Sequence, residues 1–355
     1  MIASAVASAL SLFGFMANKN GLSPSYRCLQ ITPTQVCGCS VFGIMERSIM
    51  LGITDTIYVD ASAFLSVVAS LPGEEELTLA HENGVLSWTC GTTKGKLAAM
   101  AAVTMPKITH RIKPDDAWKP TDNFVDVLEL GGIACGSEAL RTIDMWGVCI
   151  DNTGDETVVY ASDNSTISVC SLGAKLDKAP DIVTLRPDAV ALLVKAIDPT
   201  EGALYFDKEQ LLYKEPSLRI SIKYVPPLKQ DIMGVVEGFS ANDIAVPLPR
   251  DRVLSFLKRV LALAENRRNM YVEFSATEGR VVLSFAEGLA AADEYYLVDG
   301  LQMPDLPAVK LDAARISRAL GHADKIVLNH VEEGVITFQG MGDAPFFTYI
   351  ISGRA

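Results

Sequence analysis

The chain has 355 residues, 49% of them apolar and 21% charged, which is ordinary globular composition and leaves no room for a low-complexity or long disordered segment. Its formal net charge of −12 makes it a poor general binder of phosphate backbones, so any nucleic-acid role must rest on locally concentrated lysine and arginine. Seven cysteines, an odd number scattered through apolar segments, read as reduced core thiols and exclude a disulfide framework.

The first element, Met1–Ala17, is apolar and ends near small residues, as a signal peptide does. It lacks a basic leading region, its first lysine is Lys19, and it is short for a membrane span, so it reads as a helix. Cys37 and Cys39 form a CxC pair with no second pair to complete a zinc site, and a structural role is expected. Asp60 opens DASAFLSVVASLP, an amphipathic helix, followed by the strand-like ELTLAHENGVLSWTC. The Pro- and Asp-rich stretch Lys113–Asn123 marks a boundary, after which Phe124–Ala134 reads as a helix.

Strands are expected over Gly147–Asn152, Thr157–Ala161 and Ile167–Leu172, then a helix over Asp188–Ile197. Ala203–Phe206, Leu211–Tyr213 and Leu218–Tyr224 follow as strands, and Pro226–Asn242 reads as a second linker. Within Leu248–Glu265, Val253, Leu257, Val260 and Leu261 share one helical face, and Arg252, Ser255, Arg259 and Asn266 fall opposite. Met270–Phe274 and Arg280–Phe285 alternate around a Glu278-Gly279 turn, and Tyr295–Val298 is a further strand. Leu311–Leu320 is the last helix, and Ile326–Asn329, Val335–Gln339 and Phe346–Ile351 close the chain as strands.

These elements repeat. Asp60, Arg186 and Asp312 each open a helix followed by strands, at a constant step of 126 residues. Val127 and Val253, each inside a helix, keep the same step. A period this long means copies of a whole domain, not a solenoid of small repeats. The expected organisation is α+β, with three tandem domains at 1–118, 119–240 and 241–355, each carrying two helices on antiparallel sheet. By thirds of the chain, residues 1–120 hold 9 basic and 9 acidic groups, 121–240 hold 10 and 19, and 241–355 hold 12 and 15.

Enzyme signatures fail in turn. Ser162-Asp163-Asn164 spells the SDN element of penicillin-recognising enzymes, without the SxxK and KTG partners that chemistry needs. The run from Gly91 to Lys96 has three residues between its glycines where a phosphate loop has four, and Leu97 stands where Ser or Thr is required. His81, His110, His322 and His330 have no ligand spacing, and no HExxH, GxSxG or paired-carboxylate motif occurs. Asn164-Ser165-Thr166 is a glycosylation sequon, of little meaning in a cytosolic chain. No catalytic residue, metal or cofactor is expected.

Taken together, the three copies resemble the bacterial DNA polymerase III β sliding clamp family over nearly the whole chain. The third copy carries it best, in VLSFLKRVLALAENRRNMYVEFSATEGRVVLSF and the closing strand PFFTYIISGR. In the second copy, SEALRTIDMWGVCID followed by VVYASDNSTISVCSL is similar to the family's strand, Gly, strand and A-T-D-G-H-R-L run. The divergence is that of a distant member, such as a phage-encoded one. The resemblance implies a non-enzymatic, cytoplasmic processivity factor without membrane contact. It would be a head-to-tail homodimer forming a six-domain ring, helices inside, that encircles double-stranded DNA without sequence preference.

It further implies that Lys19, Lys195, Arg252, Lys258, Arg259, Arg267, Arg268, Arg315 and Arg318 face DNA. Polymerase and clamp loader would dock short linear motifs in a pocket lined by Met145, Ile167, Ile244, Tyr349 and Ile351. Several features depart from the family pattern. Ser165-Thr166 replaces its His-Arg, Ile351-Ser352-Gly353-Arg354 its Met-Pro-Met-Arg ending, and Ile143-Asp144 an aromatic pair near DNA. The helices of the first copy carry no basic residue, and Phe124–Ala134 has Asp126 and Glu129. This sparse lining leaves open a rival reading, a clamp-shaped interaction protein that does not load on DNA and modulates the replication machinery.

Overall fold

The computed structural model describes residues 1–17, 23–109, 113–136, 146–239, 244–247, 249–263, 270–277, 280–287, 290–297, 306–321, 323, 325–328, 335–340 and 347–352. In the first copy, α1 (Ala3–Leu10) precedes β1 (Cys28–Ile31), β2 (Gln35–Cys39), β3 (Gly43–Ser48) and β4 (Ile57–Asp60), then α2 (Ala61–Ser70), β5 (Leu77–Glu82), β6 (Val85–Cys90) and β7 (Thr93–Ala98). The second has α3 (Asp122–Gly131), β8 (Val148–Asp151), β9 (Val158–Ser162), β10 (Thr166–Ser171) and β11 (Ile182–Leu185), then α4 (Pro187–Ala196), β12 (Ala203–Phe206), β13 (Gln210–Lys214) and β14 (Leu218–Lys223). A short helix, α5 (Ile232–Phe239), follows. The third has β15 (Ile244–Pro247), α6 (Arg250–Leu263), β16 (Tyr271–Thr277), β17 (Arg280–Glu287), β18 (Ala290–Leu297) and β19 (Leu306–Asp312), then α7 (Ala313–Leu320), β20 (Lys325–Leu328), β21 (Val335–Gly340) and β22 (Phe347–Ser352).

One unit, a helix followed by three antiparallel strands, recurs twice within each copy, and a fourth strand (β4, β11 or β19) leads into each second helix. The 126-residue step lands on helix N-caps. The Asp60 carboxylate accepts from the Ala63 amide at 2.8 Å, and Asp312 accepts from the Arg315 amide at 3.0 Å. Arg186 occupies the same place with different chemistry: Pro187 opens the helix, and the guanidinium pairs with Asp188 at 3.0 Å.

The sheets run across copies. One orders β12-β13-β14-β3-β2-β1-β4, joining the second half of copy two to the first half of copy one through β14 and β3. Another orders β11-β8-β9-β10-β22-β21-β20-β15, joining the second half of copy three to the first half of copy two through β22 and β10. The remaining halves form smaller sheets, β5-β6-β7 and β18-β17-β16-β19. Copy two is thus divided between two compact units, Met1–Val125 with Leu176–Pro180 and Leu185–Val225, and Asp126–Lys175 with Asp181–Thr184 and Pro226–Ala355.

Gly43 makes the first seam possible. It pairs with Ile222, and any Cβ there would collide with the Ser221 carbonyl oxygen. Beside it, Arg219 pairs with Glu46 at 3.0 Å across the same two strands. Each helix buries one stripe: Val253, Phe256, Leu257 and Val260 on α6, and Ala313, Ile316, Ala319 and Leu320 on α7.

Several elements depart from expectation. The segment read as a linker contains α5, which packs Ile232 and Val236 onto Cys149, Tyr160, Val169 and Ile350. Its signal was obscured by Gly234, Gly238 and the flanking prolines. Strands β1 to β4 escaped the reading because three of them have only four or five residues and β2 is interrupted by Cys37, Gly38 and Cys39. None of the seven cysteines is in a disulfide, and all are buried except the half-buried Cys135. Among the described residues no helix is long and apolar enough to cross a membrane.

Candidate nucleic-acid interface and partner pocket

The cations expected to meet DNA separate into distinct environments. On α6, the buried stripe turns Arg252, Lys258 and Arg259 outward, and all three are exposed. The Arg259 guanidinium lies 5.9 Å from the Phe256 ring centroid, within cation–π range. Arg318 is exposed in the last turn of α7, where the helix dipole favours a cation. Lys195 is exposed in the last turn of α4. Lys19, Arg267 and Arg268 lie outside the described residues.

Arg315 differs. Its guanidinium grips Asp163 with two nitrogens, at 3.1 and 2.9 Å, and the two side chains are 23% and 17% exposed. The same carboxylate accepts from the Ser165 and Thr166 amides at 3.1 and 2.8 Å, and from the Thr166 hydroxyl at 2.7 Å. Asp163 therefore closes the β9–β10 turn and fastens it to α7 at once. Asn164 sits at φ +71° in that turn, where the family pattern has glycine, and Asn is the residue that best tolerates the left-handed region.

Arg250, not singled out from the sequence, donates to the Gly321 carbonyl and so ties the start of α6 to the end of α7. Nothing in its spacing announces this, because the contact joins residues far apart in the chain.

The helices differ sharply in charge. Neither α1 nor α2 contains an ionisable side chain; α3 carries Asp122, Asp126 and Glu129; and α4 carries Lys195 and Asp188, the latter paired with Arg186. Helix α6 carries Arg250, Arg252, Lys258 and Arg259 against Asp251, and α7 carries Arg315 and Arg318.

The pocket expected around Ile167, Tyr349 and Ile351 needs correction. In the β10–β22 ladder Ile167 stands opposite Ile350, while Thr166 faces Ile351 and Ser168 faces Tyr349. Side chains alternate along a strand, so Ile167 projects from one face of the sheet, and Tyr349 and Ile351 from the other. Tyr349 and Ile351 are 0% and 1% exposed, as core residues are. On their face, the Ser168 hydroxyl donates to the Gly131 carbonyl at 2.6 Å and accepts from the Ala134 amide at 3.0 Å, which docks the end of α3.

On the other face, half-buried Ile167 joins Val158, Leu228 and Met233 beside the α5 cluster, and Val235 of α5 is exposed. Met145 lies outside the described residues; Ile244 of β15 pairs with Leu328 of β20, and its side chain lies outside them.

Burial controls the titration of the thiols. Desolvation pushes Cys28 and Cys149 up to about 11, and Cys37 and Cys170 up to about 12. Cys28 also feels Cys39 and Asp60, and Cys37 feels Glu46. Among the described residues no cluster of three or more His, Cys, Asp or Glu side chains could hold a metal.

No protein-family model matches the sequence, and no curated protein sequence matches it. The fold does match solved structures. The DnaN sliding clamp (DNA polymerase III subunit beta) from Bartonella birtlesii superimposes with a TM-score of 0.81 at 16% identity, covering 100% of this chain and 98% of that one. The DNA polymerase III beta chain from Streptococcus pneumoniae gives 0.78 at 14% identity, with the same coverage. The DNA polymerase III subunit beta from Pseudomonas aeruginosa gives 0.76 at 14%, again covering 100% and 98%. The chain thus has the mixed α and β fold of these clamps from end to end.

Proposed function

We propose that this protein is a DNA sliding clamp: a homodimeric ring that encircles duplex DNA and holds a replicative polymerase on it. Three tandem domains, at 1–118, 119–240 and 241–355, would make up each subunit. The observation that carries the reading is a rule of strand pairing. Twice, the last strand of a copy's second half pairs with the last strand of the preceding copy's first half, β14 with β3 and β22 with β10. Two strands stand in the equivalent places and end their sheets: β7 in copy one and β18 in copy three.

Pairing β7 of one subunit with β18 of another satisfies the rule, and repeating it by a two-fold operation closes the ring head to tail. Open edges invite such pairing, and the β5 edge of the same small sheet is already met by Ile2, which bridges Glu76. Strand β7 contributes Lys94 and Lys96, and β18 contributes Asp293 and Glu294, so the pairing is complementary in charge. Linkage by topology then gives processivity without tight binding. A polymerase or loader would bring a short apolar motif to the surface formed by Ile167, Val158, Leu228 and Met233.

Light scattering and small-angle X-ray scattering test the ring. The expected outcome is a dimer with a hollow distance distribution, converted to monomer by K94E/K96E and restored by mixing with D293K/E294K. A dimer that ignores these reversals would sink the pairing, and a compact particle without a hole would sink the ring. The second reading, a clamp-shaped protein that modulates the replication machinery without loading, draws on the uncharged α1 and α2 and the acidic α3. Failure to be retained on nicked circular duplex in the presence of a loader would favour it.

A further inference from the structure

We propose that duplex DNA is held by the third copy, through Arg252, Lys258 and Arg259 of α6 and Arg318 of α7, while the helices of copies one and two contribute walls without a cluster of phosphate-binding charge. This deepens the clamp reading and rests on it. Helices α6 and α7 pack against each other, and the Arg250 contact to Gly321 fixes their ends. Their outward cations therefore belong to one supported surface, and all four side chains are exposed. Two further arginines of the pair, Arg250 and Arg315, hold structure through Gly321 and Asp163.

The contrast with the other helices is chemical. Helices α1 and α2 offer phosphate no cation, and the carboxylates of α3 repel it. On α4, Asp188 is taken up by Arg186, and Lys195 stands as a single exposed cation with no second one beside it on the helix. In a two-fold ring the result is two opposed basic arcs separated by arcs that carry few or no cations. Such a lining supports sliding, since few phosphate contacts keep nonspecific affinity low.

The salt dependence of binding to a short blunt duplex, followed by fluorescence anisotropy, tests this. Each phosphate contact contributes about −0.9 to the slope of log K against log salt. K258E/R259E removes two contacts from each of the two subunits, so it should flatten the slope by about 3.6, on the same constant, and weaken binding more than tenfold. K195E should leave the slope within error. The neutral K258Q/R259Q guards against misfolding, and should reproduce the flattened slope with an unchanged melting temperature. An equal loss from K195E, or an unchanged slope in both α6 variants, would overturn the proposal. Wild-type retention on nicked circular but not linear duplex, measured alongside, reports on the clamp reading itself, so the two can fail separately.

Discussion

Asp163 shows how one carboxylate can serve two levels of structure. Its oxygens satisfy the β9–β10 turn and, across 152 residues, the guanidinium of Arg315. Truncation should therefore be unequal on the two sides. D163A removes the ion pair and the turn acceptor and is expected to cost about 3 kcal/mol; R315A removes the pair alone, at about 1–2 kcal/mol. Urea unfolding of both single variants and the double would show it, and equal losses would contradict the shared role. The thiols give a second residue-scale test.

The folded pKa values of Cys28, Cys37, Cys149 and Cys170 are about 11 to 12, above the ordinary value of 9.0. The folded chain thus keeps protons that the unfolded chain loses. Their contribution is full below about pH 9 and disappears as pH rises through 11 to 12. Stability should fall steadily over that window, and C37A/C170A should flatten the fall; a melting temperature unchanged from pH 9 to 11 would refute it.

At the scale of elements, the seams between copies carry the architecture. Strand β14 meets β3 over five paired positions, and Gly43 is where the backbones leave no space for a side chain. G43A should push Ser221 away and break the register locally, lowering stability by about 2–3 kcal/mol, a typical overpacking penalty. Amide exchange would locate the damage: β3 and β14 should lose protection together, while the β10–β22 seam keeps it. Uniform loss everywhere would mean that the seams are not independent. Helix α5 is the other element with a particular task, since it covers the sheet face where Ile167 lies and leaves a partly exposed apolar border beside it.

For the whole molecule, pairing across copies explains why three similar sequences do not make three isolated bodies. Each copy gives its first half to one sheet and its second half to another, so copy two is divided between the compact units. The same rule leaves β7 and β18 as the ends still to be joined, and it places the proposed subunit contact at Lys94, Lys96, Asp293 and Glu294. The proposed one-sided DNA contact follows from the chain's uneven charge, with the cations of copy three set against the uncharged helices of copy one.

Much of this was legible in the residues. The 126-residue step marked the N-caps at Asp60 and Asp312, because capping and amphipathic periodicity are local properties that a short window contains. The outward face of α6, with Arg252 and Arg259, was legible for the same reason. The roles of Arg315, Arg250 and Gly43 were not, since each depends on a partner more than 70 residues away. Nor was the separation of Ile167 from Tyr349 and Ile351, which turns on a strand register that a shift of one residue would reverse. The sequence by itself determined the repetition, many of the elements outside β1 to β4 and α5, and the charge each helix carries. Only the tertiary structure decided which strand pairs with which, and therefore which side chains share a face, because hydrogen-bonded register between distant strands is set by packing and not by any local preference.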